Sequence, residues 1–285
     1  MMESFIALIP TGIQQGLILA IVALGVSIPY RLLNFPDLTA EGSYPLGGAL
    51  CGSLMIMGFP ASIAILIATV GGGIVGLATA IIHLRFKVNS LLAGIIVSTM
   101  VFSINLRLMG KPNIALFEQK TLFLETSTAI QIGIIASALI VLMSSTYLFL
   151  KSDRGLQFRA VGLNSMFAAR QGINLNTNIL AGLFVGNALC GLAGSLLVQV
   201  QSYADIGMGV GIIIHAIAAI MIGECLIGQQ TIAQKILAPT IGAMIYQQIQ
   251  GMALSVGVAP TDLKLLTGII VISILALKGK QHDLH

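Results

Sequence analysis

Long apolar runs separated by short polar breaks set the pattern of this chain, and the spacing of the breaks predicts a bundle of membrane-spanning helices. A helix needs roughly 20 apolar residues to cross a bilayer. Residues 42–84 contain no Asp, Glu, Lys or Arg, so they must hold two spans, broken near Gly58-Phe59-Pro60. Taken along the chain, about nine spans are expected, at 5–30, 40–57, 61–84, 89–109, 129–150, 178–201, 208–227, 231–251 and 263–277. The second is kinked or short because Pro45 interrupts it, and the ninth is short. Small residues recur every fourth position at Gly12, Gly16 and Ala20, at Gly72, Gly76 and Ala80, and at Gly182, Gly186, Cys190 and Gly194. Such stripes let neighbouring helices approach closely. The stretch 110–128 mixes Lys111, Pro112, Glu118, Lys120 and Glu125 with apolar residues, too polar to span, and is expected to form an outer loop.

One long polar interruption stands out, Lys151 to Asn176. Within it Arg159-Ala160-Val161-Gly162 leads into Asn164, Ser165, Ala168, Ala169 and Arg170, and closes on Gly172-Ile173-Asn174. That order predicts one short, small-faced helix between a basic start and a glycine stop. Its small residues would let another protein approach the backbone, so it is read as a docking element. Placing it inside puts ten cations on the cytoplasmic side, namely Arg31, Arg85, Lys87, Lys151, Arg154, Arg159, Arg170, Lys235, Lys278 and Lys280. Arg107, Lys111, Lys120 and Lys264 fall outside, a bias that orients the amino terminus outward and the carboxyl terminus inward.

Composition agrees with a membrane protein: 56% of the 285 residues are hydrophobic, 8% are charged and the mean hydropathy is +0.99. The net charge of +4 is spread between apolar runs, which marks topology and excludes a nucleic-acid surface. Cys51, Cys190 and Cys225 all fall in apolar stretches without metal-ligand spacing and are expected to be packing residues, with no disulfide framework and no metal site. Met1-Met2-Glu3-Ser4-Phe5 offers neither a basic n-region nor a cleavage site, so the first apolar run is expected to stay as a span. A single transmembrane domain over 1–285 is expected, with 151–176 as its cytoplasmic segment.

The run RAVGxNxxxAxxxGIN, followed by the apolar Gly/Ala-rich stretch 179–198, resembles the cytoplasmic coupling segment of ABC-importer permeases of the branched-chain amino-acid and ribose type. The likeness extends through Gly16-Leu17, Ala23-Leu24-Gly25, Asn34-Phe35 and Gly42 to Gly207-Met208-Gly209 and Gly223, nearly the whole chain. Branched-chain permeases usually carry Ala-His-Gly after the Asn-Phe pair. Here the run is Pro36-Asp37-Leu38-Thr39-Ala40-Glu41-Gly42, which the resemblance places in a sister branch. The resemblance implies an all-α multi-span bundle in a bacterial plasma or inner membrane. It implies that Arg159, Ala160, Gly162, Asn164, Ala168, Arg170 and Gly172 couple the chain to cytoplasmic ABC ATPase subunits. It also implies an extracytoplasmic solute-binding protein as partner, beside a permease homodimer in lipid.

Several polar residues could line or gate a path. Asp37 and Glu41 form a carboxylate pair at a membrane boundary, beside Asn34 in non-helical chain; the plainer reading has Asp37 or Thr39 capping the second helix and Glu41 complementing its dipole. His215 and Glu224, nine residues apart, lie about two and a half turns from each other on opposite faces of one helix. Glu224 either lines a path or snorkels to the nearby cytoplasmic end. Asn105 and Arg107, with Gln247, Gln248 and Gln250, either receive solute or mark the lipid–water boundary, the second being the simpler reading. No Ser/His/Asp or Cys/His set has workable spacing, no Walker-type glycine loop is present, and no cofactor is implied.

The sequence therefore points to the permease subunit of an ABC importer, passing an amino acid or related metabolite inward, with ATP hydrolysed by another chain. Two rivals remain: an ion-driven secondary transporter, which would want inverted repeats and deep charges, and an integral-membrane enzyme, which would want a ligand-spaced His/Asp/Glu cluster.

Overall fold

The computed structural model describes residues 2–124 and 126–282 of the chain. Glu125 of the predicted outer loop lies outside the described residues, as do the side chains of Lys278 and Lys280 counted among the inward cations. The elements run α1 (Met2–Ser27), α2 (Ala40–Ile56), α3 (Ala61–Phe86), α4 (Ser90–Met109), β1 (Asn113–Ala115), α5 (Thr128–Lys151), α6 (Asp153–Leu163), α7 (Ser165–Arg170), α8 (Leu175–Gln201), β2 (Tyr203–Asp205), α9 (Ile212–Ile227), α10 (Ile232–Ser255) and α11 (Leu263–His282). Six helical stretches among the described residues are long and apolar enough to cross a membrane: Leu8–Leu32, Ala61–Phe86, Ser90–Met109, Thr128–Lys151, Leu175–Gln201 and Ile206–Ile227. Three further expected spans form helices but fall outside that set. α2 is 17 residues long and opens on Glu41, α10 carries Lys235 with Gln247, Gln248 and Gln250, and α11 opens beside Lys264.

Two compact units divide the chain. The larger comprises residues 24–126 and 148–213. Its centre is the packing of α2, α3 and α8 along the small-residue stripes seen in the sequence. A Cβ at Gly76 would stand 2.2 Å from the Leu183 carbonyl oxygen, and one at Gly194 would stand 1.9 Å from that of Tyr44. These backbones touch with no room for a methyl group. Gly194→Ala is therefore expected to lower the melting temperature of the detergent-purified protein by several degrees, through roughly 1–3 kcal/mol of overpacking. An unchanged melting temperature would contradict this packing.

At the end of α1 the chain makes a π-turn over Ile28–Leu32, with Pro29 inside it and Leu33 N–H reaching back to the Ile28 carbonyl at 3.3 Å. Residues 33–39 are then non-helical until α2 begins. The predicted outer loop holds β1, which pairs antiparallel with β2 in the register Ile114 to Ala204. Leu122 N–H donates to Gln199 Oε1 at 2.8 Å, and Ile114 and Leu116 join a buried cluster with Ala49, Met55 and Val198. The loop thus folds back on the ends of α2 and α8.

The smaller unit comprises residues 1–23, 127–147 and 214–285. Here α9 and α10 cross at Gly223 and Gly242, each of which sits against a backbone carbonyl of the other helix. The stripe on α1 packs on α10, Gly12 against Gln248 and Gly16 against Met244. Cys51 and Cys190 are buried packing residues as expected, whereas Cys225 is exposed, because its apolar run places it on an outer helix face.

Candidate functional site

The 151–176 segment is two helices, a correction to the single helix expected from its sequence. Asn164 causes the break. It leaves helical geometry at φ −156° and ψ 98°, its N–H closes α6 on the Ala160 carbonyl at 3.0 Å, and its side chain caps α7 by accepting from Phe167 N–H at 2.9 Å. Ser152 caps α6 in the same way, accepting from Gly155 N–H at 3.2 Å. Gly172, at φ +77°, ends α7, a backbone conformation that favours glycine.

The small face of this element turns inward, which corrects the expectation that it would lie open to another protein. A Cβ at Gly162 would lie 1.8 Å from the Leu32 carbonyl oxygen of the π-turn, and Ala168 is fully buried. Phe158 and Val161 are buried beside them. Arg159 and Ala160 are half-buried, while Asn164, Arg170 and Gly172 are exposed. The outward face is apolar instead: Leu163 is 85% exposed, Met166 73% and Phe167 57%. These three were missed in the sequence, although three large apolar side chains in the one polar stretch of such a chain are a visible signal.

Immediately after the π-turn lies a buried polar network. Asp37 Oδ1 accepts from the Thr39 N–H at 2.9 Å and from the Thr39 hydroxyl, and Asp37 Oδ2 accepts from Asn187 Nδ2 at 2.7 Å. Asn187 Oδ1 in turn accepts from Ser43 Oγ at 2.8 Å, and the Thr39 and Thr79 hydroxyls lie 2.7 Å apart. One carboxylate therefore ties the 33–39 connector to α2, α3 and α8. Burial raises the Asp37 carboxyl above its ordinary range, opposed by the hydrogen bonds from Thr39 and Asn187. The capping role expected of this pair is corrected: Thr39 makes no side-chain cap, because its hydroxyl is engaged by Asp37 and Thr79. Asn34 is exposed at φ +53°, outside the network.

Glu41 points elsewhere. Its Oε1 accepts from Gly211 N–H at 3.2 Å, and it lines a cavity of about 230 Å³ with Ser98, Thr99 and Asn105. Asn105 is fully buried. Among the described residues no group of three or more His, Cys, Asp or Glu could hold a metal ion.

In the smaller unit His215 is half-buried with its ring 5.6 Å from that of Tyr246, whose hydroxyl meets Thr267 Oγ1 and Gln250 Nε2, each at 2.6 Å. Gln247 Nε2 donates to Gln15 Oε1 at 2.7 Å. The glutamines of α10 thus bond between and along helices. Glu224 is buried at 9% exposure.

Residues 8–275 match the family model for branched-chain amino acid transport system permease components. The chain is 40% identical over 263 residues, 92% of its own length and 88% of the relative's, to a tyrosine transport system permease protein of Clostridioides difficile (strain R20291). It is 26% identical to the ribose import permease protein of Haemophilus influenzae, over 82% of this chain and 73% of that one. Among solved structures, an inward-facing ABC transporter described as metal-chelate type superposes with a TM-score of 0.50 at 19% identity, covering 95% of this chain and 84% of that chain, a likeness of fold.

Proposed function

This chain belongs to the family of permease components of branched-chain amino acid transport systems, and on that premise we propose that the solute it imports is an amino acid, tyrosine being the first to test. The chain is a multi-pass protein of the cell membrane and the permease subunit of an ABC importer, a class that works with ATPase and solute-binding partners. The hydrolysis of ATP falls to the ATPase subunits, and the permease forms a homodimer in lipid. Nine helices cross the bilayer, with the amino terminus outside, the carboxyl terminus inside and residues 151–176 in the cytoplasm.

The observation that carries the reading is the outward apolar face of Leu163, Met166 and Phe167, borne on an element whose opposite face rests on Leu32. The apolar face enters a groove of the ATPase. Asn164, Arg170 and Gly172 border it, while Arg159, Ala160, Gly162 and Ala168 fasten the element to the permease. When nucleotide closes the ATPase, α6 presses on the Leu32 carbonyl through Gly162, where no side chain cushions the contact. The π-turn passes that displacement to the 33–39 connector, and Asp37 distributes it to α2, α3 and α8.

Topology gives the first test. With exposed Cys225 replaced by serine, Ser165→Cys in intact cells is expected to react only with membrane-permeant thiol reagents, and Glu118→Cys also with impermeant ones. Labelling in the opposite sense would place the α6–α7 element outside and remove the ATPase-docking role.

A further inference from the structure

We propose that the cavity between α2, α4 and the 206–210 turn is a binding site for a primary ammonium group, carried by a small free amine or by an amino acid. The Asn105 side chain is fully buried, and neither its Oδ1 nor its Nδ2 has a hydrogen-bond partner. Folded proteins leave few buried amides in that condition, because each lost hydrogen bond exacts the full desolvation penalty. Asn105 and Glu41 are both lining residues of this cavity. One Glu41 oxygen is engaged by Gly211 N–H. The single Ser98 O–H is shared between the carbonyls of Leu38 at 2.9 Å and Gly94 at 2.8 Å, and Thr99 donates to the Ile95 carbonyl at 2.8 Å, which leaves the lone pairs of both hydroxyls to accept.

Charge and geometry select the ligand. The lining carries one carboxylate and no Lys, Arg or His, so a cation is favoured and an anion is opposed. An ammonium offers three donors to a lining with three kinds of acceptor: the Glu41 carboxylate, Asn105 Oδ1 and the hydroxyls. A divalent metal fits less well, since Glu41 is the only His, Cys, Asp or Glu in the lining. The volume of about 230 Å³ exceeds what a few waters of about 30 Å³ each require. It suits an amine with an attached apolar group, which would lie against Phe102 and Val210, the half-exposed residues at the rim. For an amino acid the site rests on the import reading above; for a free amine it does not.

The test is equilibrium binding of radiolabelled tyramine to the full-length protein in lipid nanodiscs, with L-tyrosine and 3-(4-hydroxyphenyl)propionate as competitors. Saturable tyramine binding is expected, with no competition from the propionate, which lacks the ammonium. Competition by tyrosine assigns the site to amino acids; competition by unlabelled tyramine alone assigns it to free amines. Glu41→Gln and Asn105→Leu should each weaken tyramine binding at least tenfold. Asn105→Leu should not lower the melting temperature, since it removes two unsatisfied polar atoms, and Glu41→Gln serves should that variant fail to fold. Absence of saturable binding, equal competition by the propionate, or binding indifferent to both substitutions would overturn the site, as would a structure with tyramine added that holds only water there. Loss of ATP-driven uptake with tyramine binding intact would instead remove the import reading and leave the site.

Discussion

Leu163→Asp combined with Phe167→Asp should release the ATPase from the permease while leaving the permease itself as stable as before. Both side chains point away from their own chain, at 85% and 57% exposure, so their replacement removes little internal packing. In the complex the same positions are buried against a partner, where an apolar anchor is exchanged for a carboxylate that must shed its water without a counter-charge. Two such changes should weaken association on the order of a hundredfold, about 2.8 kcal/mol. Affinity measured between the purified subunits, together with the melting temperature of the permease, checks both halves. Unchanged affinity would show that this face does not meet the ATPase.

Asp37→Ala should lower stability and abolish coupled transport together. The Thr39 N–H and hydroxyl would lose the carboxylate oxygen that accepts from both, and Asn187 Nδ2 would keep only its bond to the Leu183 carbonyl at 3.0 Å. One unsatisfied buried donor costs about 1–3 kcal/mol, so a loss on the order of 3 kcal/mol and a drop of several degrees are expected. Asp37→Asn separates the two effects. It keeps the volume but sets an amide N–H against a donor, so uptake should fall much further than stability. Full uptake by Asp37→Asn would remove Asp37 from the route between α6 and the helices.

The sequence was most legible where one local pattern decides the structure. Glycines spaced by four at Gly72 and Gly76, and at Gly182 through Gly194, did mark the helix contacts, because close backbone approach requires small residues whatever the partner. The limits of the 151–176 segment were equally plain, since a polar run stands out in an apolar chain. What could not be read was direction. Gly162 and Ala168 announce close approach but not whether the neighbour is this chain or another, and only the fold places Leu32 there. The break at Asn164 was hidden because an asparagine within a helical pattern can be tolerated or can cap a new helix. The Asp37 network was invisible because its partners, Thr79 and Asn187, lie 42 and 150 positions away in the sequence. At α2 the apolar run did mark the helix, which ends at Ile56, one residue before the expected limit.

The most direct measurement is uptake of labelled tyrosine into proteoliposomes holding the permease and its ATPase, supplied with the solute-binding protein outside and ATP inside. Accumulation is expected only when all three proteins and ATP are present, and it should vanish with Leu163→Asp/Phe167→Asp permease. Accumulation by the permease alone, driven by a sodium or proton gradient and indifferent to ATP, would contradict the coupling and make the chain a secondary transporter.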